Sequence, residues 1–254
     1  MEQSTGQEKV VASLTTIPSR LEFLHVSLES IFNQTVMPEK VILYIGDDVD
    51  LDQIPDTVKV YQDKGLFIEK RPGNLRSHKK YYYACQEYPD HAVITFDDDW
   101  IYPPTMVASL IETYRKYPDC VSSNWVMEMK RNEDGQLLSF QKWGFFGGKA
   151  IPPSLKLRAL SGSGMILPPS ILPQIAFDAD TFMELSPTCD ESWLKIIETI
   201  NGIHTAGVKI EGYIKEIAEQ NKNTLWSVNY KTSNANFCRV MKHFQVEESA
   251  FFKE

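Results

Sequence analysis

The sequence predicts an α/β fold in which helices flank a central, mostly parallel sheet. Two observations predict this class. Strand-like and helix-like segments alternate through the first half of the 254-residue chain, and the main strand-like segments run into polar or acidic residues. The carboxyl ends of parallel strands meet at one edge of a sheet, where ligands bind. We therefore expect the residues that end these strands to form a common site.

The first strand and the first helix are predicted near the N-terminus. Residues 9–16 (KVVASLTT) are rich in β-branched residues, which favours a strand. Ser19 and Glu22 have the spacing of a capping box, so we expect a helix to begin at Ser19. Apolar residues with helical spacing continue this helix at Leu21, Leu24, Leu28, Ile31 and Phe32.

The alternation of strands and helices continues along the first half. Helices are predicted at 77–88 and 103–117, and the second opens with two prolines, which a helix tolerates at its start. Strands are predicted at 40–46 (KVILYIG), 57–61 (TVKVY), 66–70 (LFIEK), 91–96 (HAVITF) and 120–129 (CVSSNWVMEM). The parallel sheet is therefore expected to extend to about residue 125.

The second half of the chain has a different pattern. The pair Asp134-Gly135 is a strong turn signal, which predicts a hairpin over residues 126–143. A loop rich in glycine and proline follows, and then we expect a helix that begins near Asp190 and a late strand at 206–212. No linker divides the chain, so we expect the second half to cover the first within one domain.

Composition and charge exclude several classes of protein. The net charge of -8 argues against a nucleic-acid-binding protein, because such binding depends on neutralising phosphates. The chain lacks a run of about twenty apolar residues, and its first ten residues lack the apolar core of a secretory signal. We therefore expect a cytoplasmic protein. Four widely spaced cysteines fit reduced, buried thiols there: Cys85, Cys120, Cys189 and Cys238.

A basic segment between Lys64 and Lys80 reverses the negative balance of the chain. Two interpretations remain open for it, a solvated basic face and a loop that faces phosphate groups. The second requires a small anionic ligand, which the overall negative charge does not exclude. The segment has Glu69 as its one acidic residue against Lys64, Lys70, Arg71, Arg76, Lys79 and Lys80.

Three consecutive acids, Asp97, Asp98 and Asp99, end the apolar run HAVITF. Neighbouring carboxylates raise one another's pKa, and a divalent cation removes this conflict. Ligand sets made of oxygen alone suit magnesium or manganese, and magnesium accepts substrate phosphates as further ligands. The acids therefore predict a site for a metal and a diphosphate, with an acidic turn before the next helix as the alternative. On a strand, Asp97 and Asp99 share a face that Asp98 does not.

Four motifs occur in order along the chain: TTIPSRL, SLESIFNQTVMPEKVIL, KKYYYACQEYPDHAVITFDDDWIYPP and DESWLK. Together with a GSG loop before the last of them, they resemble GT-A fold glycosyltransferases. More narrowly, they are similar to family-2-like enzymes of bacterial surface-polysaccharide synthesis. The match runs from about residue 9 to 230. It implies one GT-A-like domain over 1–254, with a nucleotide-sugar-binding half (9–125), an acceptor-binding half (126–230) and a C-terminal tail (231–254).

The resemblance implies which residues bind the donor, a nucleotide-diphosphate sugar. It assigns Asp99 and Asp97 to the metal, Mn²⁺ or Mg²⁺, with Asp97 also near the ribose. The acid that meets the base is Asp47 or Asp48, and Lys79 or Lys80 lies near the diphosphate unless both are exposed helix residues. The donor-binding residues implied are Thr15, Thr16, Arg20, Asp47, Asp48, Lys79, Lys80, Asp97 and Asp98.

The resemblance also implies the catalytic base and the acceptor site. The pair Asp190-Glu191 matches the acids at the start of a late helix, and we expect Glu191 to be the base and Asp190 to orient it. A helix N-terminus stabilised by acids is the alternative. We expect a saccharide or lipid-linked saccharide acceptor to contact the GSG loop and Trp193, although the loop could equally be a turn without a ligand. That loop consists of Gly162, Ser163 and Gly164.

Aromatic residues offer a further means of binding a sugar. Trp100, Trp143 and Trp193 are candidates to stack on sugar faces, and buried packing is the alternative for each.

The expected reaction is the metal-dependent transfer of a sugar to a hydroxyl group, with inversion. A lipid-linked acceptor would bring the protein to the inner face of the membrane by peripheral association. Two alternatives are a nucleotidyltransferase and a non-catalytic carbohydrate-binding protein. The glycine- and arginine-rich loop of sugar nucleotidyltransferases does not follow KVVASLTT, and the phosphate-binding motif G-x-x-x-x-G-K-[ST] is absent from the chain.

Overall fold

The structure, a computed structural model, describes residues 8–217 and 225–253. The strands in this part of the chain are Val10–Thr15 (β1), Lys40–Ile45 (β2), Leu66–Lys70 (β3), Ala92–Thr95 (β4), Trp100–Ile101 (β5), Cys120–Ser123 (β6), Trp125–Glu128 (β7), Gly144–Gly147 (β8), Ile151–Ser154 (β9), Leu157–Ala159 (β10), Met165–Leu167 (β11), His204–Gly207 (β12) and Lys215–Glu216 (β13). The α-helices are Leu24–Phe32 (α1), Asp56–Lys59 (α2), Lys79–Glu87 (α3), Met106–Lys116 (α4), Ala179–Leu185 (α5), Asp190–Ile200 (α6) and Leu225–His243 (α7).

The main sheet has eight strands in the order β3-β2-β1-β4-β11-β6-β12-β9. Strands β3, β2, β1 and β4 are mutually parallel neighbours, and β6 is parallel to β12. Two strands break this pattern, because β11 lies antiparallel between β4 and β6, and β9 is antiparallel to β12 at the edge. The predicted α/β class with a mostly parallel sheet is confirmed. Edge position explains how β9 accommodates Pro152 and Pro153.

The two faces of the sheet bury two separate apolar clusters. Alternate residues of β1 enter different clusters, with Ala12 and Leu14 on one face and Val11 on the other. Helices α1, α2 and α4 cover the first face, and α3, α5, α6 and α7 cover the second. Because both faces are covered, the carboxyl edge of the strands remains as the place where polar residues can meet.

The prediction of a strand at residues 57–61 is wrong. Residues Asp56–Lys59 form the short helix α2, which Pro55 precedes as its N-cap residue. Val58 is fully buried but Val60 is 53% exposed, whereas a half-buried strand would have turned both toward the core. Proline before the helix fixes a backbone angle that suits a helical start, and this outweighed the β-branched residues.

The helix start predicted at Ser19 is also wrong. Pro18–Arg20 form a turn of 3-10 helix, and α1 begins later at Leu24 with no side-chain cap. The tight turn directs Arg20 inward, where it is 9% exposed and meets the acids after β4. The chain therefore forms a tight turn that places Arg20 in the site, instead of a capped helix that begins at Ser19.

The second half contains more strand than its sequence suggests. The predicted turn at Asp134-Gly135 is confirmed by the positive φ of Gly135, but the arms of this hairpin make a single bridge between Arg131 and Leu137. Instead β7 pairs with β8 and β10 in a second, three-stranded sheet. The glycine-rich loop contains β8 and β9, and the late strand begins at His204 rather than at residue 206.

The C-terminal segment packs on the domain. Helix α7 crosses the boundary expected at residue 231, and Phe237, Val240 and Phe251 are buried in the second apolar cluster. The segment 231–254 was expected to be a tail, but these residues give it a place in the core. No helix within residues 8–217 and 225–253 has the length and apolar character needed to cross a membrane.

Candidate functional site

Residues predicted from the sequence lie at the carboxyl edge of the parallel strands. They follow β1, β2 and β4, as expected from the topology, and α3 and α6 add residues from the second face. Hydrogen bonds and ion pairs divide them into three groups, and each group combines acidic residues with one basic residue. The first group is Thr16, Arg20, Asp98 and Asp99; the second is Lys80, Asp97, Ser161, Asp190 and Glu191; the third is Asp47, Asp48, Asn74 and Lys79.

Asp98 is the structural anchor of the first group. Its two carboxylate oxygens accept hydrogen bonds from Thr16 Oγ1 at 2.6 Å and from Arg20 Nη1 at 2.6 Å. Only 2% of Asp98 is exposed, so its buried charge needs the hydrogen bonds from both Thr16 and Arg20 to offset the loss of hydration. Asp98 therefore fixes the turn after β1 to the acids after β4. Thr15 acts elsewhere, because its hydroxyl donates to the carbonyl oxygen of Tyr44 in β2 at 2.7 Å.

Asp99 has an incompletely satisfied carboxylate. Its Oδ2 lies 3.0 Å from Arg20 Nη2, whereas its buried Oδ1 accepts no hydrogen bond from the described residues. Burial, followed by the charges of Asp97 and Asp98, raises the pKa of Asp99 to about 7. A buried acceptor without a donor is costly, and perturbed carboxyls of this kind concentrate at functional sites.

The residues at this edge fit a divalent cation. No three histidine, cysteine, aspartate or glutamate side chains in residues 8–217 and 225–253 are grouped to hold a metal by themselves. Magnesium commonly needs only one or two protein carboxylates, because waters and substrate phosphates supply the other ligands. Asp99 offers its unpaired Oδ1, and Asp97 has a side chain that is 34% exposed. Their oxygen-only chemistry suits Mg²⁺ or Mn²⁺.

Lys80 connects the acids after β4 to the start of α6. Its Nζ donates to Asp97 Oδ1 at 2.5 Å and to Ser161 Oγ at 3.0 Å, and it lies 3.6 Å from Asp190 Oδ2. The side chain is only 2% exposed, so it is not the exposed helix residue that the sequence allowed. Burial alone would lower the pKa of Lys80, but Asp190, Asp97 and Glu191 outweigh it and raise that pKa. Lys80 is therefore a permanent cation between two acidic groups.

The two acids of α6 have different environments. Asp190 is 3% exposed and accepts a hydrogen bond from Ser161 Oγ at 2.7 Å. Burial favours a higher pKa for Asp190, but Lys80, His78 and that hydrogen bond outweigh burial and lower it. Burial and the charge of Asp190 instead raise the pKa of Glu191, whose side chain is 18% exposed. Of the two, Glu191 is the better placed to accept a proton from a ligand.

Arg158 supports Glu191 from the second sheet. Its Nη2 lies 4.0 Å from Glu191 Oε2 and donates to Cys189 Sγ at 3.1 Å. The guanidinium group is 2% exposed and lies 5.2 Å from the ring of Phe140. Arg158 is thus held by packing on one side while its charge faces the acid, which moderates the rise in the pKa of Glu191 that burial causes.

The third group lies at the ends of β2 and β3. Asp47 Oδ2 accepts a hydrogen bond from the backbone N–H of Gly73 at 2.6 Å. Lys79 Nζ donates to Asn74 Oδ1 at 3.2 Å and lies 3.9 Å from Asp48 Oδ1, which accepts no hydrogen bond from the described residues. Lys79 is 1% exposed, so it too faces inward. Asp48 therefore keeps an acceptor for a ligand, while Asp47 is occupied in the loop.

Gly162 lies against Asp97. A Cβ atom on Gly162 would lie 1.9 Å from Asp97 Oδ2, and the carbonyl oxygen of Gly162 accepts a hydrogen bond from Tyr102 Oη at 2.6 Å. The same tyrosine oxygen accepts from the backbone N–H of Asp97 at 2.8 Å. Glycine at this position therefore allows the loop and the acidic strand end to touch.

Gly162→Ala is expected to lower the free energy of unfolding by about 1–3 kcal/mol, because the new methyl group forces Asp97 away from Lys80. Urea denaturation measures this change. Gly144→Ala is the control, since its added Cβ would meet the flexible end of Lys130 and the ring of Phe146, both at 3.3 Å rather than 1.9 Å. Equal stability of the Gly162 variant and the wild type would show that the loop can withdraw at no cost.

Two of the predicted acceptor residues shape the turn, and one lies in the core. Ser163 Oγ accepts from the backbone N–H of Trp125 at 2.9 Å, and Gly164 has φ +88 with the space for a Cβ filled by Met106. Trp193 is fully buried, and its indole N–H donates to the carbonyl oxygen of Ala176 at 3.0 Å. The prediction that Trp193 contacts an acceptor is wrong, because its ring has no surface on which a sugar could stack.

Three site residues were missed from the sequence. Ser161 joins Lys80 to the α6 acids, Tyr102 links Asp97 to Gly162, and Arg158 lies beside Glu191. Arg158 had a usable signal, since a lone arginine in the otherwise apolar run of a strand needs a buried partner. Ser161 had none, because it acts through contacts between segments distant in sequence. Tyr102 lies in the motif DDDWIYPP, but its contact with Gly162, sixty residues later, could not be foreseen.

Comparison with known proteins gives both a family and structural neighbours. The model of the family described as glycosyl transferase family 2 matches residues 17–167. No curated protein sequence matches the chain significantly. The structure is similar to TarS 1–349 from S. aureus, with TM-score 0.55 and 16% identity over 95% of this chain and 73% of that chain.

Two further structures extend this comparison. TarS 1–349 in complex with UDP gives TM-score 0.53 and 16% identity over 81% of this chain, which spans 59% of that chain. The 4-diphosphocytidyl-2C-methyl-D-erythritol synthase from Anaerococcus prevotii gives TM-score 0.54 and 13% identity, covering 89% of this chain and 99% of that one. At these identities the neighbours show the fold alone.

Proposed function

The chain belongs to glycosyl transferase family 2, and on that premise we propose that it transfers a sugar from a nucleotide-diphosphate donor to a hydroxyl group of a saccharide. It is a glycosyltransferase with a GT-A fold. The observation that carries the specific proposal is the junction through Lys80 and Ser161, which brings the acids after β4 and those of α6 into one network.

The donor binds across the ends of β1, β2 and β4, in the half formed by residues 9–125. Asp48 and its neighbours meet the base, and Asp97 meets the ribose. The UDP complex of the structural neighbour TarS supports a nucleoside diphosphate as the ligand. Asp99 and Asp97 would hold Mg²⁺ or Mn²⁺, which offsets negative charge on the diphosphate when bound.

Charge develops on the diphosphate as its bond to the anomeric carbon breaks. Lys80 is a buried cation beside Asp97, so it stabilises this charge without reorganisation. Arg20 acts one step away, because it holds Asp98 and Asp99 in place rather than facing the donor. The two basic residues therefore have separate roles, one electrostatic and one positional.

Glu191 is the general base in this proposal. The acceptor hydroxyl oxygen attacks the anomeric carbon, its proton passes to Glu191, and the nucleoside diphosphate departs with the electron pair of the broken bond. The raised pKa of Glu191 suits a group that must gain a proton at neutral pH. Attack from the face opposite the leaving group gives inversion. Asp190 remains ionised against Lys80 and orients this end of α6.

The acceptor lies in the half formed by residues 126–230. We place the protein in surface-polysaccharide synthesis in the cytoplasm, with a saccharide or lipid-linked saccharide as acceptor. A lipid-linked acceptor would bring the protein to the inner face of the membrane by peripheral association.

Donor recognition is tested with a panel of nucleotide sugars. We expect at least one UDP-, GDP- or dTDP-sugar, with Mn²⁺ present, to raise the unfolding temperature and to release its nucleoside diphosphate on incubation with a mixture of oligosaccharides. The same panel with EDTA is the control. Absence of both stabilisation and release for every donor would contradict the proposal and favour a non-catalytic carbohydrate-binding protein.

A nucleotidyltransferase is the second candidate, because the A. prevotii synthase shares the fold over nearly its whole length. Such an enzyme would bind a nucleoside triphosphate and release pyrophosphate. CTP, UTP and sugar phosphates in the same assay separate the two, since pyrophosphate release favours nucleotidyl transfer and nucleoside diphosphate release favours glycosyl transfer.

A further inference from the structure

An aromatic cluster, consisting of Trp100, Trp125 and Phe145, lies beside the acids. The ring centroids of Trp100 and Trp125 are 5.0 Å apart at 83°, and those of Trp125 and Phe145 are 5.6 Å apart at 71°. Trp100 packs partly against one core cluster and Trp125 partly against the other. Phe145 is 55% exposed. The three rings therefore form a continuous apolar surface that reaches solvent.

The cluster borders the catalytic residues through the backbone. Trp100 directly follows Asp99. The backbone N–H of Trp125 donates to Ser163 Oγ at 2.9 Å, and its carbonyl oxygen accepts from the N–H of Leu160 at 3.0 Å. Leu160 and Ser163 flank Ser161, which contacts Asp190 and Glu191, and Gly162, which lies against Asp97. The cluster is therefore connected to the acids after β4 and to those of α6.

The second sheet turns the cluster toward the base. Directly opposite residues of an antiparallel pair share a face, and Met127 is opposite both Phe145 and Arg158. Trp125, two residues before Met127, lies on the same face. Arg158 on that face approaches Glu191 to 4.0 Å. Phe145 and Trp125 are therefore on the side of the sheet that meets the start of α6.

A glycine keeps this face open. Gly147 is opposite Trp125, and a Cβ atom there would lie 3.1 Å from the indole ring. Any larger residue would shift the ring or cover its edge. Two acids lie near this face: Asp99, which directly precedes Trp100, and Glu191, which lies 4.0 Å from Arg158. They disfavour an anionic ligand and accept hydrogen bonds from hydroxyl groups. A neutral ring with apolar C–H faces and hydroxyl edges fits both features.

We propose that the aromatic cluster is the acceptor subsite and binds a pyranose ring by stacking on Phe145 and Trp125. This inference rests on the proposed function and gives it an acceptor class, a neutral saccharide with an exposed C–H face. The subsite takes the place of Trp193, which is buried. Large aromatic side chains with a few convergent polar groups are the usual lining of such sites.

Intrinsic tryptophan fluorescence of the full chain tests the subsite with four named probes: cellotriose, chitotriose, maltotriose and mannotriose. We expect at least one probe to change the emission saturably, because two of the five tryptophans belong to the cluster. Phe145→Ala should raise the Kd of that probe roughly 3- to 10-fold, and Phe145→Tyr should preserve it. Phe67→Ala is the control, since Phe67 is 44% exposed on the edge strand β3.

Several outcomes would overturn the subsite. They are the absence of any saturable change in the wild type, an unchanged Kd in Phe145→Ala, or a dimer that dissociates in Phe145→Ala, which would assign the cluster to contact between copies. Thermal stabilisation of the wild type by nucleotide sugars tests the proposed function independently. Saccharide binding that depends on Phe145, without any donor binding, would leave the subsite standing and remove the transferase proposal.

Discussion

Glu191→Gln is expected to lower the kcat of sugar transfer by about 10²- to 10⁴-fold while donor binding persists. Glutamine keeps the shape of the side chain but cannot take the proton of the acceptor hydroxyl. The carboxamide keeps a hydrogen-bonding group beside Ser161 Oγ, which lies 3.2 Å from Glu191 Oε1 and can accept from the amide N–H, so the loop should keep its place. Initial rates of nucleoside diphosphate release with acceptor present give kcat, and thermal stabilisation by the donor reports binding.

Glu184→Gln is the matched control, because Glu184 is an exposed acid on the neighbouring helix α5. It should leave both kcat and donor binding unchanged. Asp190→Asn separates the roles of the two α6 acids. It removes one of the two carboxylates beside the buried Lys80, which keeps its contact with Asp97, so we expect it to lower stability by about 1–3 kcal/mol as well as activity. Full transfer activity in Glu191→Gln would exclude Glu191 as the base.

The sequence was sufficient for the fold class because one pattern repeats in it. Strands such as β1 alternate side chains between two buried faces, and acids or threonines follow at the strand ends. In a parallel sheet the carboxyl ends of the strands lie at one edge, so the strand pattern alone predicts that these residues are close together. Asp98 shows the limit of this reasoning. Strand alternation predicted that Asp97 and Asp99 would share a face without Asp98, but the three acids lie in the turn after β4, where Asp98 and Asp99 both pair with Arg20 and Asp97 pairs with Lys80.

Contacts between segments that are distant in the chain could not be predicted from the sequence. Strand β11 lies between β4 and β6 although it comes later in the chain, and Ser161 enters the site only because the loop before β11 follows it there. Trp193 was misassigned for a related reason. Helix α6 is buried around most of its circumference, because it packs against α7 on one side while its buried pair Lys195 and Glu198 meets Thr205 of β12 on another. A single helix pattern does not reveal such packing.

Asp99→Asn is expected to reduce transfer about 10³-fold and to abolish stabilisation by Mn²⁺ with UDP. Asp99 has a buried oxygen without a donor and a carboxyl pKa raised to about 7, both of which a cation would relieve. Metal binding requires the ionised carboxylate. Stabilisation of the wild type by Mn²⁺ with UDP should therefore increase from pH 6 to pH 8, as followed by thermal unfolding.

The same carboxyl makes the metal-free protein respond to pH in a definite direction. Its pKa is raised on folding, so its favourable contribution to stability is complete below about pH 4 and is lost as the pH rises through about 7. Without metal, Asp99→Asn should gain in unfolding temperature relative to the wild type over that range, because asparagine carries no buried charge. Asp63→Asn, an exposed control, should show no such trend.

These two responses must occur together if Asp99 is a metal ligand. If Asp99 served only the structure, its substitution would lower the stability of the protein. If Asp99 is a metal ligand held in an unfavourable environment, its substitution should raise the stability of the metal-free protein and remove the response to metal. Arg20 sharpens the distinction, because it keeps its ion pair with Asp98 at 2.6 Å when Asp99 is changed. Lower stability of Asp99→Asn at pH 8 without metal would therefore assign Asp99 to the support of Arg20 rather than to the donor site.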